Sequence, residues 1–339
     1  MEKQQPYTRI PANEMQQKFF DVLIRHHFPT AKAKLCAALF TDSSVDGVVS
    51  HGVNRFPRFI EYAKKGFVNP EADPELVRKI HSLEQWNGNL GPGPSNAFFA
   101  TERAMQLAVE YGTGIVGLSH TNHWMRGGTY GWQAAKKGFA FIGFTNTIAN
   151  MPAWGALDKR LGNNPLVIAI PYKNEAIVLD MAMSQFSYGA MEQAKSKKET
   201  LAVIGGYDTD GNLSNDPAAI LETGRLIPIG YWKGAGLSLL LDMLATILTG
   251  GLSVAGITKQ GAEFGLSQVF IAIDLAQVSN RDALYLSIKN IVDDYLDSQP
   301  VKEKESIGYP GQRVLRNREF NLANGIPVSK DVWETIALL

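Results

Sequence analysis

Gly112-Thr113-Gly114-Ile115-Val116-Gly117 spells G-x-G-x-x-G. In a doubly wound sheet that spacing turns a strand into a helix and sets a pyrophosphate on the helix's first amides. Here the order is reversed. Phe98 to Tyr111 reads as an amphipathic helix, Gly112 stands where a C-terminal glycine ends one, and Ile115 to Leu118 reads as a strand. No helix N-terminus follows the glycines to receive a phosphate. The stretch is rejected as a phosphate loop, and any α/β fold built here does without that fingerprint.

Upstream, Asn13 caps a helix running to about Phe28, with Met15, Phe19, Val22 and Leu23 on one face. A second helix starts at Thr30, with Leu35, Ala38 and Leu39 apolar, and runs towards Asp46-Gly47. A third covers Arg58 to Lys65 and stops at Gly66, and the breakers of Gly88 to Pro94 make a loop. Downstream, Phe139 to Thr145 and Leu166 to Ile170 read as buried strands, and Ala176 to Met181 pairs with the latter across Tyr172-Lys173-Asn174-Glu175. Gly206 to Pro217 is a polar loop. Its Asp208-Thr209-Asp210-Gly211-Asn212 reads as a plain turn and not a calcium loop: the glycine is one place early and Ala219 stands where the closing Glu belongs. Leu237 to Leu248 is apolar nearly all round, which predicts a buried helix. Val269 to Ile273 is a strand, and Arg281 to Leu296 a helix with Leu284, Ile288, Ile291, Val292 and Tyr295 on one face. The tail from Gly308 reads as loop with a short final helix, Val332 to Leu338. Strands alternating with helices predict α/β, with helical material at both ends. No clear linker marks a boundary. The expected division is an N-terminal helical and catalytic segment at 1–120, a strand-rich cofactor-binding segment at 121–275, and a C-terminal helical segment at 276–339 that returns to the first.

Bulk properties narrow the function. The chain has 339 residues, 45% apolar and 19% charged, and its 33 Lys plus Arg balance 33 Asp plus Glu. A basic footprint for nucleic acid is missing. Cys36 is the one cysteine, so an internal disulfide is excluded, and its apolar surroundings read as core. Met1-Glu2-Lys3-Gln4-Gln5 lacks the apolar core of a signal peptide. Leu237 to Leu248, broken by Ser238, Asp242 and Thr246, is too short and too polar to span a bilayer. The expectation is a soluble cytoplasmic protein without nucleic-acid or membrane partners.

Four stretches carry candidate chemistry. Val49-Ser50-His51-Gly52-Val53-Asn54-Arg55-Phe56-Pro57 joins an imidazole, suited to proton transfer near neutral pH, to a guanidinium that can fork onto a carboxylate. The bland alternative is a loop with a surface His and an Arg over a helix end. Ser119-His120-Thr121-Asn122-His123-Trp124-Met125-Arg126-Gly127-Gly128 follows a buried strand, and Trp124 and Met125 suggest an apolar pocket wall. Three of the six histidines fall in these two stretches; His26 and His27 sit at a helix end, and His81 reads as surface. His120 and His123 are three apart, but no third local ligand or His-Glu-x-x-His pattern accompanies them, and no metal is expected. After Gly162-Asn163-Asn164-Pro165, a strand ends in Asp180, which either orients an imidazole or caps the segment that follows. Pro228-Ile229-Gly230-Tyr231-Trp232-Lys233-Gly234-Ala235-Gly236 opens the apolar helix. It offers start-of-helix amides and a lysine to an anion, unless the glycines merely pack.

Ser50-His51-Gly52, Asn122-His123, Gly162-Asn163-Asn164-Pro165, Asp180-Met181-Ala182 and Lys233-Gly234 together resemble the malate/L-lactate dehydrogenase family, whose NAD(P)-binding domain is not a Rossmann fold. Longer runs, Ser50 to Ile60, His123 to Gly128, Tyr130 to Ala135, Phe186 to Gly189 and Gly230 to Gly234, are similar to one branch of it that reduces a diketo sugar acid. The resemblance implies a non-Rossmann α/β fold with helical N- and C-terminal segments packed together, and a homodimer with its site near the subunit interface. It implies reduction of 2,3-diketo-L-gulonate to 3-dehydro-L-gulonate; the alternatives are another 2-oxo or 2-hydroxy acid (malate, lactate, ureidoglycolate) or a cyclic imino acid. His51 matches the proton donor, and His123 a second histidine that polarises or binds the small-molecule keto acid. Asp180 would steady His51, and Arg55 would hold the carboxylate with Ser50 or Asn54 helping. Ala176, Ile177, Val178, Leu179, Asp180, Met181 and Ala182 match a cofactor-binding strand and turn, and Trp232 and Lys233 a further contact. Gly311, Gln312 and Arg313 match a third, but Arg313 replaces an acidic residue that could bond a ribose hydroxyl. An Arg suits a phosphate, so the cofactor is expected to be NADH with NADPH also admitted. Two readings of other classes stand beside this one: a metal hydrolase using His120, His123 and Asp180, and a non-catalytic sugar-acid binder.

Overall fold

The computed structural model describes residues 7–301 and 306–339, so Met1-Glu2-Lys3-Gln4-Gln5 lies outside the described residues. A short strand, β1 (Tyr7–Ile10), leads into α1 (Ala12–Arg25) and α2 (Thr30–Val45). Met15, Phe19, Val22 and Leu23 of α1 are buried, as their helical spacing requires. A single 3-10 turn, Val49–His51, precedes α3 (Phe56–Lys64). The antiparallel pair β2 (Glu75–Ile80) and β3 (Leu83–Asn87) follows, then α4 (Gly93–Tyr111) and β4 (Thr113–Thr121). Gly112, at φ +82°, makes the turn between α4 and β4, so the G-x-G-x-x-G stretch does run from helix to strand.

Next come α5 (Gly128–Ala135), β5 (Phe139–Thr145), the pair β6 (Met151–Pro152) and β7 (Lys159–Leu161), and the hairpin β8 (Leu166–Tyr172) and β9 (Glu175–Met181). They are followed by α6 (Tyr188–Lys197), β10 (Gly206–Tyr207), β11 (Leu213–Ser214), α7 (Pro217–Thr223), α8 (Trp232–Thr249) and α9 (Val254–Lys259). The chain closes with β12 (Leu266–Asp274), α10 (Arg281–Leu296), α11 (Gln312–Asn324), β13 (Ile326–Ser329) and α12 (Lys330–Leu338).

Seven strands form one mixed sheet in the order β2-β3-β4-β12-β5-β8-β9. It takes strands from both sides of residue 120. Only β3 and β4 pair in parallel. β12 sits at the centre, apolar towards both faces, as a strand covered on both sides must be. One face is covered by α4 and α5, where Ala100, Ala104, Leu107 and Trp132 meet Val116, Phe141, Val167 and Phe270. The other takes α8 through Ala235, Leu241 and Ala245, against Phe144 and Val269. A separate core gathers the N-terminal helices. Phe19 stacks on Phe56 at 4.1 Å, and Phe40 meets Phe56 edge-on. The two ends of the chain join there, because Ile10 of β1 pairs with Ile326 of β13. This is the expected α/β architecture with N- and C-terminal segments packed together.

Four expectations are corrected. The helix over Leu237 to Leu248 is not buried all round. Small residues, Gly234, Ala235 and Ser238, face inwards with Leu241 and Ala245, while Leu240, Met243, Leu244 and Ile247 are exposed, Ile247 to 68%. A helix apolar on every side carries no periodic signal to say which side meets the sheet. The helix expected over Arg281 to Leu296 is found as α10; of its apolar face Val292 is buried, and Leu284, Ile291 and Tyr295 are exposed. The tail from Gly308 is not loop: it holds α11 and β13. α11 bonds the end of α2 through polar side chains, Asn317, Arg318 and Asn321, and sets Val314 and Leu315 on the sheet core, an apolar patch too short for hydrophobic periodicity to find. The loop over Gly206 to Pro217 contains the small β10–β11 hairpin. In addition, α4 starts at Gly93 and not at Phe98. No helix among the described residues is long and apolar enough to cross a membrane.

Candidate active site

The His51 turn is seated on α2 by a glycine. A Cβ on Gly52 would lie 2.2 Å from Ser44 Oγ, so only glycine allows the turn to approach so closely. Ser44 Oγ donates to the Phe40 carbonyl and accepts from the Val53 amide, fixing the loop from the helix side. Ser50 Oγ lies 3.1 Å from His51 Nδ1.

The His123 segment is fixed from the opposite side. Asn122 Nδ2 donates to the carbonyls of Phe67, Leu90 and Gly91, and Gln268 Nε2 donates to the Asn122 carbonyl. Gly93 at the head of α4 packs so tightly on this segment that a Cβ would fall 2.1 Å from the His123 carbonyl. These two supports bring residues far apart in sequence together: the His51 and His123 rings are 5.7 Å apart between centroids, with planes 25° apart.

His123 Nδ1 accepts a hydrogen bond from the Met125 amide at 2.9 Å. An imidazole nitrogen that accepts from N–H carries no proton, so the neutral ring holds its proton on Nε2 and is a donor there. Burial pushes the His123 pKa well below the ordinary value, and the charges of Arg55, His51 and Arg58 push the same way. Burial also lowers His51, but Asp180 acts against it, before Arg55 lowers it again. The two histidines are therefore driven apart: His123 stays neutral, and His51 is the one with a carboxylate favouring its charged form.

Beside them a cavity of about 20 Å³ is lined by Arg55, Arg58, Tyr62, Asn122, His123 and Glu263, with Phe59, Val68 and Met125 as its apolar part. Arg55 Nη2 lies 3.5 Å from Glu263 Oε1. Met125 forms part of the cavity wall, as the sequence suggests. Trp124 does not: it is buried against Tyr130 and Phe270 in the sheet core. His120 is exposed, in a left-handed conformation at φ +47°. No group of three His, Cys, Asp or Glu among the described residues could hold a metal ion.

Asp180 keeps one part of each sequence reading: its charge favours the protonated His51, and it is a helix cap, though of another helix. Its Oδ2 accepts from the Gly128 amide at 2.7 Å, so it caps α5 from across the sheet and not the segment that follows it. It acts on His51 through its charge, without a hydrogen bond to the ring.

The three stretches expected to hold the cofactor converge on β9, the last strand of the sheet. The Val178 amide donates outwards to the Pro310 carbonyl at 3.2 Å. Gly311, at φ +91°, sits so close that a Cβ would be 3.2 Å from Val178 N and 3.3 Å from the Trp132 ring. This places Gly311, Gln312 and Arg313, the head of α11, beside Ala176 to Ala182. At the other end of β9, the Ile229 amide donates to the Met183 carbonyl at 2.8 Å, joining Ala182 to the segment that opens α8 with Trp232 and Lys233. Gly189, at the head of α6, lies against Ser50: a Cβ there would be 3.0 Å from Ser50 Cβ. The head of α6, the helix that follows β9 in the chain, thus meets the residue beside His51.

This edge fits an extended nucleotide. By the two-residue period of a strand, the Asp180 amide and carbonyl point to the same open side as those of Val178. Trp132 Nε1 near Gly311 and Ser184 Oγ just past β9 are buried without a hydrogen-bond partner among the described residues. A buried polar group without a partner is costly, and a bound ligand offering polar atoms would satisfy both. Lys233 is exposed at the head of α8, its ammonium over the Trp232 ring.

Sequence reasoning missed Glu263, Arg58 and the pairing of Arg126 with Asp46. Glu263 lies in no motif, and no local pattern marks it. Arg126 stands within a quoted stretch, but its partner at the end of α2 is visible only in three dimensions.

Known proteins match this chain along its whole length. The sequence pattern of the malate/L-lactate dehydrogenases fits residues 10–337. A 2,3-diketo-L-gulonate reductase of Klebsiella pneumoniae (strain 342) is 41% identical over 332 residues, covering 98% of this chain and 100% of the relative. Among solved structures, the sulfolactate dehydrogenase of Methanocaldococcus jannaschii superposes with a TM-score of 0.89 at 29% identity, covering 97% of this chain and 95% of that one. The malate dehydrogenase of Pyrococcus horikoshii OT3 does so with a TM-score of 0.88 at 27% identity, covering 98% and 96%.

Proposed function

The chain belongs to the malate/L-lactate dehydrogenase family and is an oxidoreductase that works with a nicotinamide cofactor, and from that premise we propose that it reduces 2,3-diketo-L-gulonate to 3-dehydro-L-gulonate with NADH. The observation that carries the chemistry is the His51–His123 pair beside the cavity that contains Arg55. The choice of substrate is supported by the full-length similarity to a reductase of that diketo acid.

When bound, a reduced nicotinamide would supply the hydride that the C2 ketone carbon accepts. As charge grows on the carbonyl oxygen, His51 gives it a proton, and stabilising that oxygen is the main catalytic demand. Asp180 and the substrate's own carboxylate favour the charged His51 before transfer. His123 donates from Nε2 and holds the carbonyl in place. Arg55 takes the carboxylate, with Ser50 and Asn54 beside it. Ala176 to Ala182, Trp232, Lys233 and Gly311 to Arg313 hold the cofactor, and Arg313 gives NADPH an entry that an acid there would deny. The segments 1–120, 121–275 and 276–339 share these roles: the second lends His123 and Asp180 to catalysis beside His51 of the first, and the third lends Gly311 to Arg313 to the cofactor while closing on the first. We read the chain as a cytoplasmic homodimer of carbohydrate metabolism. The exposed apolar side of α8 supports the dimer, since an uncovered patch of that kind marks an interface.

Two results are expected here. Arg55→Met raises KM for the keto acid by roughly 10–100-fold, the worth of a lost charge-assisted hydrogen bond, and leaves the KM for NADH alone. An unchanged KM in steady-state kinetics removes Arg55 from the carboxylate. The second concerns pH. Reduction needs His51 charged, so kcat falls as pH rises through its pKa in the complex. Asp180 favours that charged form, and Asp180→Asn therefore moves the fall to lower pH. A pH profile of kcat that does not move would mean that Asp180 serves only as the cap of α5.

A further inference from the structure

Glu263 stands in the loop between α9 and β12, yet its side chain is only 11% exposed and points into the cavity beside the histidines. One carboxylate oxygen lies 3.5 Å from Arg55 Nη2, and the other accepts from the Ile148 amide at 3.4 Å. The loop is pinned where Phe264 stacks flat on Phe67, 4.6 Å between centroids with planes 3° apart. The position of Glu263 is therefore built.

Two features give that position a meaning. The first is charge. Arg55 and Arg58 are the cations of this cavity and Glu263 is its anion, so one excess positive charge remains. That suits a single carboxylate; a second one would face Glu263 at close range, where like charges repel strongly. The second is hydrogen-bonding sense. Asn122 Nδ2 is fully committed to backbone carbonyls, while Asn122 Oδ1 is buried with no partner among the described residues. A carboxylate and an amide oxygen are both acceptors. The cavity thus offers one buried acceptor without a donor, Asn122 Oδ1, which is costly to leave unpaired, and beside it a carboxylate whose two oxygens each hold one long contact and have lone pairs to spare. The hydroxyls of a polyhydroxy acid are donors. A methyl group or a second carboxylate is not.

We propose that Glu263 selects the tail of the substrate: with Asn122 Oδ1 it accepts hydrogen bonds from the hydroxyls of a polyhydroxy keto acid, and its charge turns away dicarboxylic keto acids. This rests on the reading of the site as a keto-acid reductase and deepens it. It adds a residue that separates a sugar-acid reductase from a malate-type enzyme on the same scaffold.

The test is kcat/KM at saturating NADH for 2,3-diketo-L-gulonate and for oxaloacetate, in wild type, Glu263→Gln and Glu263→Asp. Glu263→Gln should lose about 10-fold or more on the diketo acid and gain on oxaloacetate, moving the ratio by roughly 100-fold. Glu263→Asp, which keeps the charge, should keep the wild-type order of preference. A parallel loss on both substrates, or an unchanged ratio, overturns the proposal and leaves Glu263 a structural partner of Arg55. A measurement on wild type alone guards against a variant that does not fold. L-gulonate should inhibit diketo-acid reduction at least about tenfold more tightly than malate, by the same hydroxyl and charge terms; the opposite order overturns the proposal. If wild type reduces neither keto acid with either nicotinamide, the reductase reading itself fails, and the role of Glu263 falls with it.

Discussion

Replacing His51 with alanine lowers kcat for keto-acid reduction by about 10²–10⁴-fold, the usual worth of a positioned general acid. Binding of NADH, followed by its fluorescence, stays near that of wild type. The reason lies in the different states of the two rings. His123 has Nδ1 engaged by the Met125 amide, and burial with three neighbouring positive groups keeps it neutral. It can donate a hydrogen bond but holds no spare proton. His51 has the Asp180 charge in its favour. A substrate anion arriving at Arg55 adds a second negative charge close by and draws His51 further towards the charged form. His123→Ala should lower turnover too, but its loss should carry a rise in KM, because that ring orients the carbonyl. Wild-type turnover in His51→Ala, with the loss confined to His123→Ala, would transfer the acid role to His123.

Replacing Asp46 with alanine destabilises the fold by about 3–5 kcal/mol, the cost of breaking a buried ion pair from one side. Asp46 ends α2 and is 1% exposed; Arg126, its partner, is 5% exposed. Arg126 Nη1 donates to one carboxylate oxygen and Arg318 Nε to the other, while Asn317 Nδ2 reaches the Asp46 carbonyl. Burial draws the Arg126 pKa down to about 10, so the guanidinium remains charged at neutral pH. Without Asp46 it would be a buried charge left to the more distant Asp180. The cluster ties three parts of the chain together: the end of α2 just before His51, the segment of His123, and α11 of the C-terminal segment. Arg126→Met should cost less, because Arg318 still answers Asp46. Urea unfolding checks both. A loss below about 1 kcal/mol for Asp46→Ala would mean that Arg126 finds water or another carboxylate without strain.

Much of the site is legible in the sequence, because chemistry concentrates there in short polar runs between apolar elements. Ser50-His51-Gly52 and Asn122-His123 stand out in that way, and the fold brings their rings together. Ala176 to Ala182, Gly311 to Arg313 and the head of α8, three stretches far apart in sequence, meet along one strand. The reversed order around Gly112 also holds, since caps and periodicity are local properties. What periodicity misses depends on partners. The sequence of α8 is apolar on every side, so nothing in it says that Leu240, Met243 and Ile247 face outwards. α11 docks on α2 by hydrogen bonds and on the sheet core by two adjacent residues, Val314 and Leu315, which make no helical stripe to read. Asp180 serves a helix on a different element, and Glu263 reaches Arg55 from a loop with no motif. These are tertiary facts, and no window of sequence contains both partners.

The most direct measurement is the initial rate of NADH oxidation by the purified protein, followed by absorbance, with 2,3-diketo-L-gulonate as substrate and pyruvate and oxaloacetate beside it. Fast turnover of the diketo acid, slow turnover of the other two, and loss of the rate in His51→Ala are the predicted result. Folded protein that oxidises neither NADH nor NADPH with any of the three would contradict the account.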